Sequence, residues 1–288
     1  MGQTDTKPQT NSRNLSRRAF LAALTAASAS VGVAAATQVA AQSRRSNGKA
    51  AIVTGSSRGI GAATARRLAR DGFALTVNCV VNRDLAAGVV REIEAAGGRA
   101  IWVQADVSDP TAVRRLFDEH ERAFGRVDVV VANAGIMRLA PIRDMTDADF
   151  DRMFAVNAKG SFNTLREAAL RVRDGGRIVT LSSSITQLRT PTYGPYAATK
   201  MAQDMFASIL AKELEGRLIS VNAVAPGVVN TTLFTDGKTP QQIAEFAQRT
   251  PHKRLGEPSD IADVIAALCG PDGGWVNGQT VFANGGIV

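Results

Sequence analysis

Tyr196 and Lys200 stand four residues apart, and Ser183 stands thirteen residues before Tyr196. If Pro195 opens a helix, the phenol and the ammonium share one face of its first turn. A free tyrosine has a pKa of about 10, and a cation a few ångströms away favours the phenolate. Tyr196 is then poised to give a proton to a carbonyl oxygen or to take one from an alcohol. Lys200 is the tuning cation, and Ser183 is the hydroxyl that orients the substrate oxygen. A lone Tyr-x-x-x-Lys is weak evidence, because a half-buried ring and a solvated amine at helical spacing are common. Here the chain has only two tyrosines, Tyr193 and Tyr196, and both fall in this stretch. Tyr193 reads as a pocket wall.

These groups need a scaffold, and the scaffold begins with a nucleotide site. Residues 50–54 form a short apolar, partly β-branched run, followed at once by Gly55-Ser56-Ser57-Arg58-Gly59-Ile60-Gly61. A helical pattern then carries Ile60, Ala63, Thr64, Arg67 and Leu68 to the stop signal Asp71-Gly72. Strand, glycine turn and helix in that order is what a dinucleotide requires. Glycines permit a tight turn and close approach of a pyrophosphate, whose charge meets amides at the helix N-terminus. Residues 73–79 read as the second strand. An NAD site places an acid about 20 residues past the glycines to hold the ribose hydroxyls. This chain has Asn78-Cys79-Val80-Val81-Asn82 there, with no carboxylate before Asp84. Loss of the acid removes repulsion toward a 2′-phosphate, and Arg58 or Arg83 can pair with it. NADP is therefore favoured, with NAD as the alternative.

Strand and helix signals continue to alternate. Residues 85–96 read as a helix, 100–104 as a strand, and 110–124 as a helix with Asp109 as N-cap and Pro110 first. Residues 127–132 are nearly pure aliphatic, which suits a parallel sheet buried on both faces. The pattern predicts one doubly wound, Rossmann-type α/β domain with a central parallel sheet over residues 49–288. In such a fold the site lies at the carboxyl ends of the strands. Asp106, Asn133-Ala134-Gly135 and Ser183 all fall there. Residues 147–171 read as one long helix with Phe150, Phe154, Phe162, Leu165 and Ala169 on its apolar side. Asn157 and Gly160 in its middle lower helix propensity, the pattern of a neutral weak spot or a local kink. Strands are expected over 177–182, 219–225 and 279–282, and a helix over 258–269. Residues 228–250, with Leu233, Phe234, Ile243 and Phe246 as apolar points, read as a lid or a long surface excursion.

Residues 1–48 do not read as part of this domain. Ser16-Arg17-Arg18-Ala19-Phe20-Leu21 leads into an uncharged, alanine-rich stretch over residues 22–41. A basic region, a weakly apolar region and small residues before a cut make a secretory leader, and the paired arginines resemble the twin-arginine export signal. Export to the periplasm is the expected localisation. The run is too rich in Ala, Ser and Thr to make a good membrane anchor, so no stable insertion is expected. The net charge is +8. Lys7, Arg13, Arg17 and Arg18 contribute to it from the leader, and Arg66-Arg67, Arg91 and Arg114-Arg115 are scattered. That is a solvated basic surface, not a nucleic-acid stripe. Cys79 and Cys269 have no partner spacing and read as buried thiols, and His120 and His252 share no ligand spacing, so no metal site is read.

Four motifs together resemble the short-chain dehydrogenase/reductase family over residues 49–288: Thr54-Gly55-x-x-x-Gly59-x-Gly61, Asn133-Ala134-Gly135, Ser183 thirteen before Tyr196, and Tyr196-x-x-x-Lys200. The likeness extends to members known as 3-oxoacyl-carrier-protein reductases and alcohol or sugar dehydrogenases. It implies that Tyr196 is the general acid/base, that Ser183 holds the substrate oxygen, and that Lys200 lowers the tyrosine pKa and binds the nicotinamide ribose. It makes Asn157 the anchor of a proton-relay water. It gives the cofactor contacts to Gly55, Ser57, Arg58, Gly59, Ile60, Gly61, Asn78, Asp106, Val107, Asn133, Ala134, Gly135, Pro226, Gly227, Val229 and Thr231. The first asparagine of the family's Asn-Asn-Ala-Gly is Ala132 here, which implies a local stability cost and not lost activity. The implied reaction is hydride transfer between NADP(H) and a small carbonyl or secondary-alcohol substrate, and the implied assembly is a homotetramer. A neutral substrate is favoured, because no charged anchor stands out, with Leu139, Ile142, Gln187, Tyr193 and the lid as pocket candidates. The alternatives are an NADP-binding redox-sensing regulator without turnover and a nucleotide-sugar epimerase or dehydratase.

Overall fold

In the computed structural model the described residues are 1–2 and 46–288. The expected leader falls almost wholly outside them.

Seven strands carry the domain: β1 (Ala50–Val53), β2 (Ala74–Cys79), β3 (Ala100–Gln104), β4 (Val127–Ala132), β5 (Val172–Leu181), β6 (Ser220–Pro226) and β7 (Thr280–Ala283). They pair in the order β3-β2-β1-β4-β5-β6-β7, every neighbour parallel. The chain winds outward from β1 to β3, returns to the other side of β1 for β4, and winds outward again. The crevice of this topological switch point therefore opens between the carboxyl ends of β1 and β4.

The sheet is covered on both faces, as the aliphatic strands require. Helices α1 (Gly59–Arg70), α2 (Arg83–Ala95) and α10 (Pro258–Cys269) lie on one side, where Leu68, Val89, Ile93, Ile261 and Ile265 pack against Val53, Val129 and Val131. Helices α3 (Pro110–Phe124), α5 (Gly160–Arg171) and α7 (Gly194–Glu213) lie on the other, where Leu116, Phe117, Leu165 and Leu210 pack against Ile52 and Val130. Alternate strand residues thus serve opposite cores. The expected capping of α3 is present: Asp109 accepts from the Thr111 amide at 2.8 Å, and Gly125 closes the helix with φ of 72°. The remaining helices are α4 (Asp147–Met153), α6 (Ile185–Leu188), α8 (Thr232–Thr235) and α9 (Pro240–Arg249).

Two expectations need correcting. The predicted helix over residues 147–171 is α4, a π-helical segment Phe154–Lys159, and α5. A wider turn rotates every later side chain, by up to about 100° for one inserted residue, so a single apolar stripe cannot be read through it. Phe162 is accordingly 46% exposed, and Phe150, stacked on Phe154 with centroids 4.4 Å apart, is 41% exposed. The strand expected over 177–182 starts earlier, at Val172, and carries an irregularity opposite Val127 and Val129 where Gly175 takes φ of 78°. No helix among the described residues is long and apolar enough to cross a membrane.

Candidate active site

β5 ends at Leu181 and delivers Ser183 beside the start of α7, where Pro195 sits in the first turn as expected. Tyr196 and Lys200 follow on the inner face of that helix, 8% and 4% exposed. The Tyr196 hydroxyl is hydrogen-bonded to Ser183. The Lys200 ammonium stands 5.6 Å from the Tyr196 ring centroid and donates to the Leu181 carbonyl at 2.6 Å. Three residues chosen for their spacing therefore meet at one point.

The electrostatics differ from the expectation. Burial pushes the Tyr196 phenol up, the Ser183 hydrogen bond draws it back only in part, and Tyr193 adds to the rise. The Lys200 ammonium keeps its charge but is bonded to the neutral Leu181 carbonyl and Gln203 Oε1. Burial in turn pulls Lys200 down to about 8, against the opposing pull of Asp204. The pair is a neutral phenol above an ammonium that remains charged at neutral pH.

Asn157 is fully buried in the π segment. Its side chain accepts from the Ile136 amide at 2.8 Å and donates to the Ile136 carbonyl at 2.8 Å and to Thr199 Oγ1 at 3.1 Å. Its main-chain carbonyl accepts from Gln203 Nε2 at 2.8 Å. Asn157 thus ties the loop after β4 to α7, and both its oxygens are engaged within the protein. These bonds give Asn157 an anchoring role.

The glycine turn fits a dinucleotide. Gly55 has φ of 62°, and a Cβ there would lie 2.8 Å from Ala134 Cα. A Cβ on Gly61 would lie 2.5 Å from Asn133 Nδ2 and 2.6 Å from the Gly55 carbonyl. The turn, the helix and the loop after β4 therefore touch backbone to backbone, and only hydrogen fits between them. Asn133 Nδ2 donates to the Thr54 carbonyl at 2.8 Å, and Thr54 Oγ1 accepts from the Asn133 and Ala134 amides at 3.0 and 3.1 Å. These bonds hold the loop that Ala132 cannot. The N-terminus of α1 at Arg58 has no side-chain cap and no acid in its first turn, which leaves its amides and partial positive charge for a phosphate.

Other predicted contacts act from behind this surface. Asn78 is 1% exposed, accepts from the Gly55 amide at 3.0 Å and donates to the Val103 and Ala105 carbonyls at 3.2 and 3.0 Å. It braces the glycine turn. The Asp106 carboxylate accepts from Ser108 Oγ at 2.7 Å and from Arg152 Nη2 at 3.0 Å. The Val107 side chain is buried against Gly160. Ser57 is half-buried at the turn, and Arg58 and Arg83 are exposed at the crevice end of β1 and β2 without an ion pair among the described residues.

A cavity of about 510 Å³ runs from the crevice to Ser183, Tyr196 and Lys200. Ile60, Asn133, Gly135, Ser183, Tyr196, Lys200, Pro226, Gly227, Val229 and Thr231 line it, all of them predicted. Tyr193 is a wall, as expected, and the lid segment supplies Leu233, Phe234 and Phe246 from α8 and α9, whose two phenylalanines meet edge-on at 5.2 Å. Leu139, Ile142 and Gln187 do not line it. Sequence reasoning missed Met137, Leu188, Arg189 and Arg249 on its wall. Arg249 acts electrostatically on Tyr193, and its guanidinium lies 5.3 Å from the Phe246 ring. No carboxylate lines the cavity. The rim is also strained, because Arg189 and β-branched Thr192 take φ of 50° and 73°.

A parallel doubly wound sheet, a glycine turn against an uncapped helix, and a phenol, hydroxyl and ammonium beside the same crevice define a nicotinamide-dependent oxidoreductase. The chain belongs to the short-chain dehydrogenase/reductase family. A family profile described as enoyl-(acyl carrier protein) reductase matches residues 54–288. An NADPH-dependent aldehyde reductase-like chloroplastic protein of Arabidopsis thaliana is 44% identical over 255 residues, 84% of this chain and 94% of that protein. A short chain dehydrogenase from Burkholderia cenocepacia, solved in complex with NADP, superposes with a TM-score of 0.79 at 38% identity, covering 85% of this chain and 99% of the other. An angucycline C-6 ketoreductase with bound NADP gives a TM-score of 0.80 at 37% identity, covering 85% and 98%. The protein is an NADP-dependent oxidoreductase that transfers hydride between the cofactor and a carbonyl or alcohol.

Proposed function

We propose that this enzyme reduces a ketone or aldehyde borne on an apolar, ring-sized body. The observation that carries the reading is the Tyr196 hydroxyl, bonded to Ser183 and held protonated by burial, at the floor of a cavity walled by Leu188, Tyr193, Leu233, Phe234 and Phe246. NADPH bound in the crevice would supply the hydride for the carbonyl carbon. Tyr196 gives its proton to the carbonyl oxygen as charge develops there, and Ser183 donates a hydrogen bond to the same oxygen. Lys200 directs its remaining N–H toward the cofactor ribose and stabilises the phenolate left behind. Its charge favours that phenolate over the neutral phenol, an effect that burial outweighs in the resting protein. Arg58 or Arg83 pairs with the 2′-phosphate, and the α1 amides take the pyrophosphate. The aldehyde and ketone reductions named for two relatives agree with this reading. Arg189 and Arg249 on the wall favour a substrate that also carries an acidic group, in place of the neutral substrate expected from sequence.

Two further readings concern the whole protein. Phe162 on α5 and Met201, Met205 and Ile209 on α7 are exposed apolar residues on neighbouring helices, spaced at one helical turn along α7. A second copy of this chain is the occupant this face suits, within a homotetramer. Residues 1–48 serve as a cleaved twin-arginine leader that carries the enzyme to the periplasm, with the folded domain over residues 49–288. Fractionation of the native host with an antibody to the domain tests this. A shortened periplasmic form is expected, and a full-length cytoplasmic form would contradict it.

The test of the activity is NADPH oxidation by the purified enzyme across aliphatic aldehydes, aryl ketones and fused-ring quinones with and without an acidic substituent. Turnover is expected to be fastest with the ring ketones. Tight NADPH binding without turnover of any carbonyl in the panel would count against the reading.

A further inference from the structure

A buried ammonium must place all three of its N–H donors. Lys200 gives one to the Leu181 carbonyl at 2.6 Å and a second to Gln203 Oε1 at 3.1 Å. Lys200 also lines the cavity, which leaves the third for a group bound there. Gln203 is itself fully buried, one turn further along α7. Its Nε2 donates to the Asn157 carbonyl at 2.8 Å and to Ser161 Oγ at 2.7 Å. Turning the amide over would set its NH2 against the ammonium and its oxygen against the Asn157 carbonyl. The partners therefore dictate one orientation, with the oxygen toward Lys200.

The π segment is what makes this arrangement available. Its wider turn breaks the regular i→i+4 ladder, so a carbonyl such as that of Asn157 can turn to an outside donor. Gln203 supplies that donor and offers its acceptor to Lys200 in the same step. One side chain thus joins the loop-anchoring Asn157 to the cation beneath Tyr196.

We propose that Gln203 is a positioning residue for the reaction: its amide oxygen holds the Lys200 ammonium while its amide nitrogen holds the Asn157 carbonyl, and together they aim the third N–H of Lys200 at the cofactor and Tyr196. The inference rests on the assignment of Tyr196 and Lys200 as the reacting pair. Asp204 and Tyr196 on α7 are the titratable groups near Lys200, while β5, the π segment and α5 present only the uncharged Leu181, Ser182, Asn157 and Ser161. Lys200 already sits at about 8 because of burial. Removing an acceptor that favours the charged form moves it lower still.

The test is the pH profile of kcat and kcat/KM for ketone reduction by the full enzyme as wild type, Gln203→Met, Gln203→Glu and Lys200→Met, with NADPH affinity and melting temperature measured alongside. Gln203→Met is expected to lower kcat by about tenfold or more, the scale of a hydrogen bond to a charged group, and to shift the alkaline limb to lower pH. Gln203→Glu keeps an acceptor for the ammonium and is expected to return the limb to, or above, its wild-type position. A Gln203→Met enzyme with an unmoved limb would overturn the proposal, even if its melting temperature falls. Should Gln203→Met not fold, a Gln203→Glu limb lying below the wild-type one would do the same. Unchanged turnover in Lys200→Met would instead sink the assignment of the reacting pair.

Discussion

Burial acts in opposite directions on the two residues at the centre of the site. It holds the Tyr196 phenol protonated and draws the Lys200 ammonium down to about 8. A group that must give a proton is kept as an acid, and its supporting cation stays charged until the pH approaches 8. Reduction should therefore run at a steady rate through neutral pH and decline as Lys200 loses its proton near pH 8, visible as one alkaline limb in kcat. Ser183→Ala removes the hydroxyl bonded to Tyr196 and should lower kcat by roughly 10²-fold or more while NADPH affinity, measured by fluorescence, stays within a factor of about two. At the cavity rim, Arg249→Gln should raise KM for a carboxylated or phenolic ketone by roughly tenfold and leave its uncharged analogue nearly unaffected. An equal effect on both would show that Arg249 only packs on Phe246.

Among elements, the glycine turn and α1 have the least room for change. A methyl on Gly61 would meet Asn133, the Gly55 carbonyl and Ser56 together. Gly61→Ala should cost roughly 1–3 kcal/mol of stability through overpacking and weaken NADPH binding more than it slows the bound enzyme. Calorimetry and cofactor titration measure the two separately. On the other face, α3 is tied to the sheet by His120, whose ring bonds Thr76 Oγ1 at 2.7 Å and the Arg126 carbonyl at 2.9 Å. Burial lowers this imidazole to about 4, against the opposing effects of that carbonyl and of Asp128. The unfolded chain takes up the proton near pH 6.5 and the folded one only near 4. The stability from a neutral His120 is thus complete above about 6.5 and lost as pH falls through that window, on the order of 3 kcal/mol in all. His120→Gln should flatten that part of the urea-denaturation profile; an identical pH dependence in wild type and variant would refute it.

The cluster of Ser183, Tyr196 and Lys200 was legible in the sequence because Tyr196 and Lys200 lie within one helical turn, and Ser183 at a strand end just before it. The sheet was legible because β1 and β4 are aliphatic but for Asp128, and β1, β2 and β4 are buried on both sides. Gln203, Arg189 and Arg249 were not, because nothing local distinguishes a buried amide or a rim arginine from an ordinary helical one. They acquire meaning only when α7 meets the π segment and α9 folds over the cavity. The π segment had a trace, Asn157 and Gly160 in mid-helix, but low propensity alone does not say that a turn widens.

At the scale of the whole molecule, two winding halves create one crevice, and α8 and α9 line one side of the cavity beside it. The apolar row of Met201, Met205 and Ile209 beside Phe162 is too large to leave in water without cost. If this face is a contact between copies, Met205→Glu should shift the sedimenting species toward a smaller assembly, and an unchanged sedimentation coefficient would exclude it. Hydride transfer coupled to proton donation by Tyr196 is tested most directly with NADPH deuterated at nicotinamide C4 and a ring ketone, comparing wild type with Tyr196→Phe. Deuterium should appear on the new carbinol carbon with the wild type, and the variant should bind the labelled cofactor but form product at least about 10²-fold more slowly. Product from the variant at the wild-type rate, or a carbinol carbon free of deuterium, would contradict that mechanism.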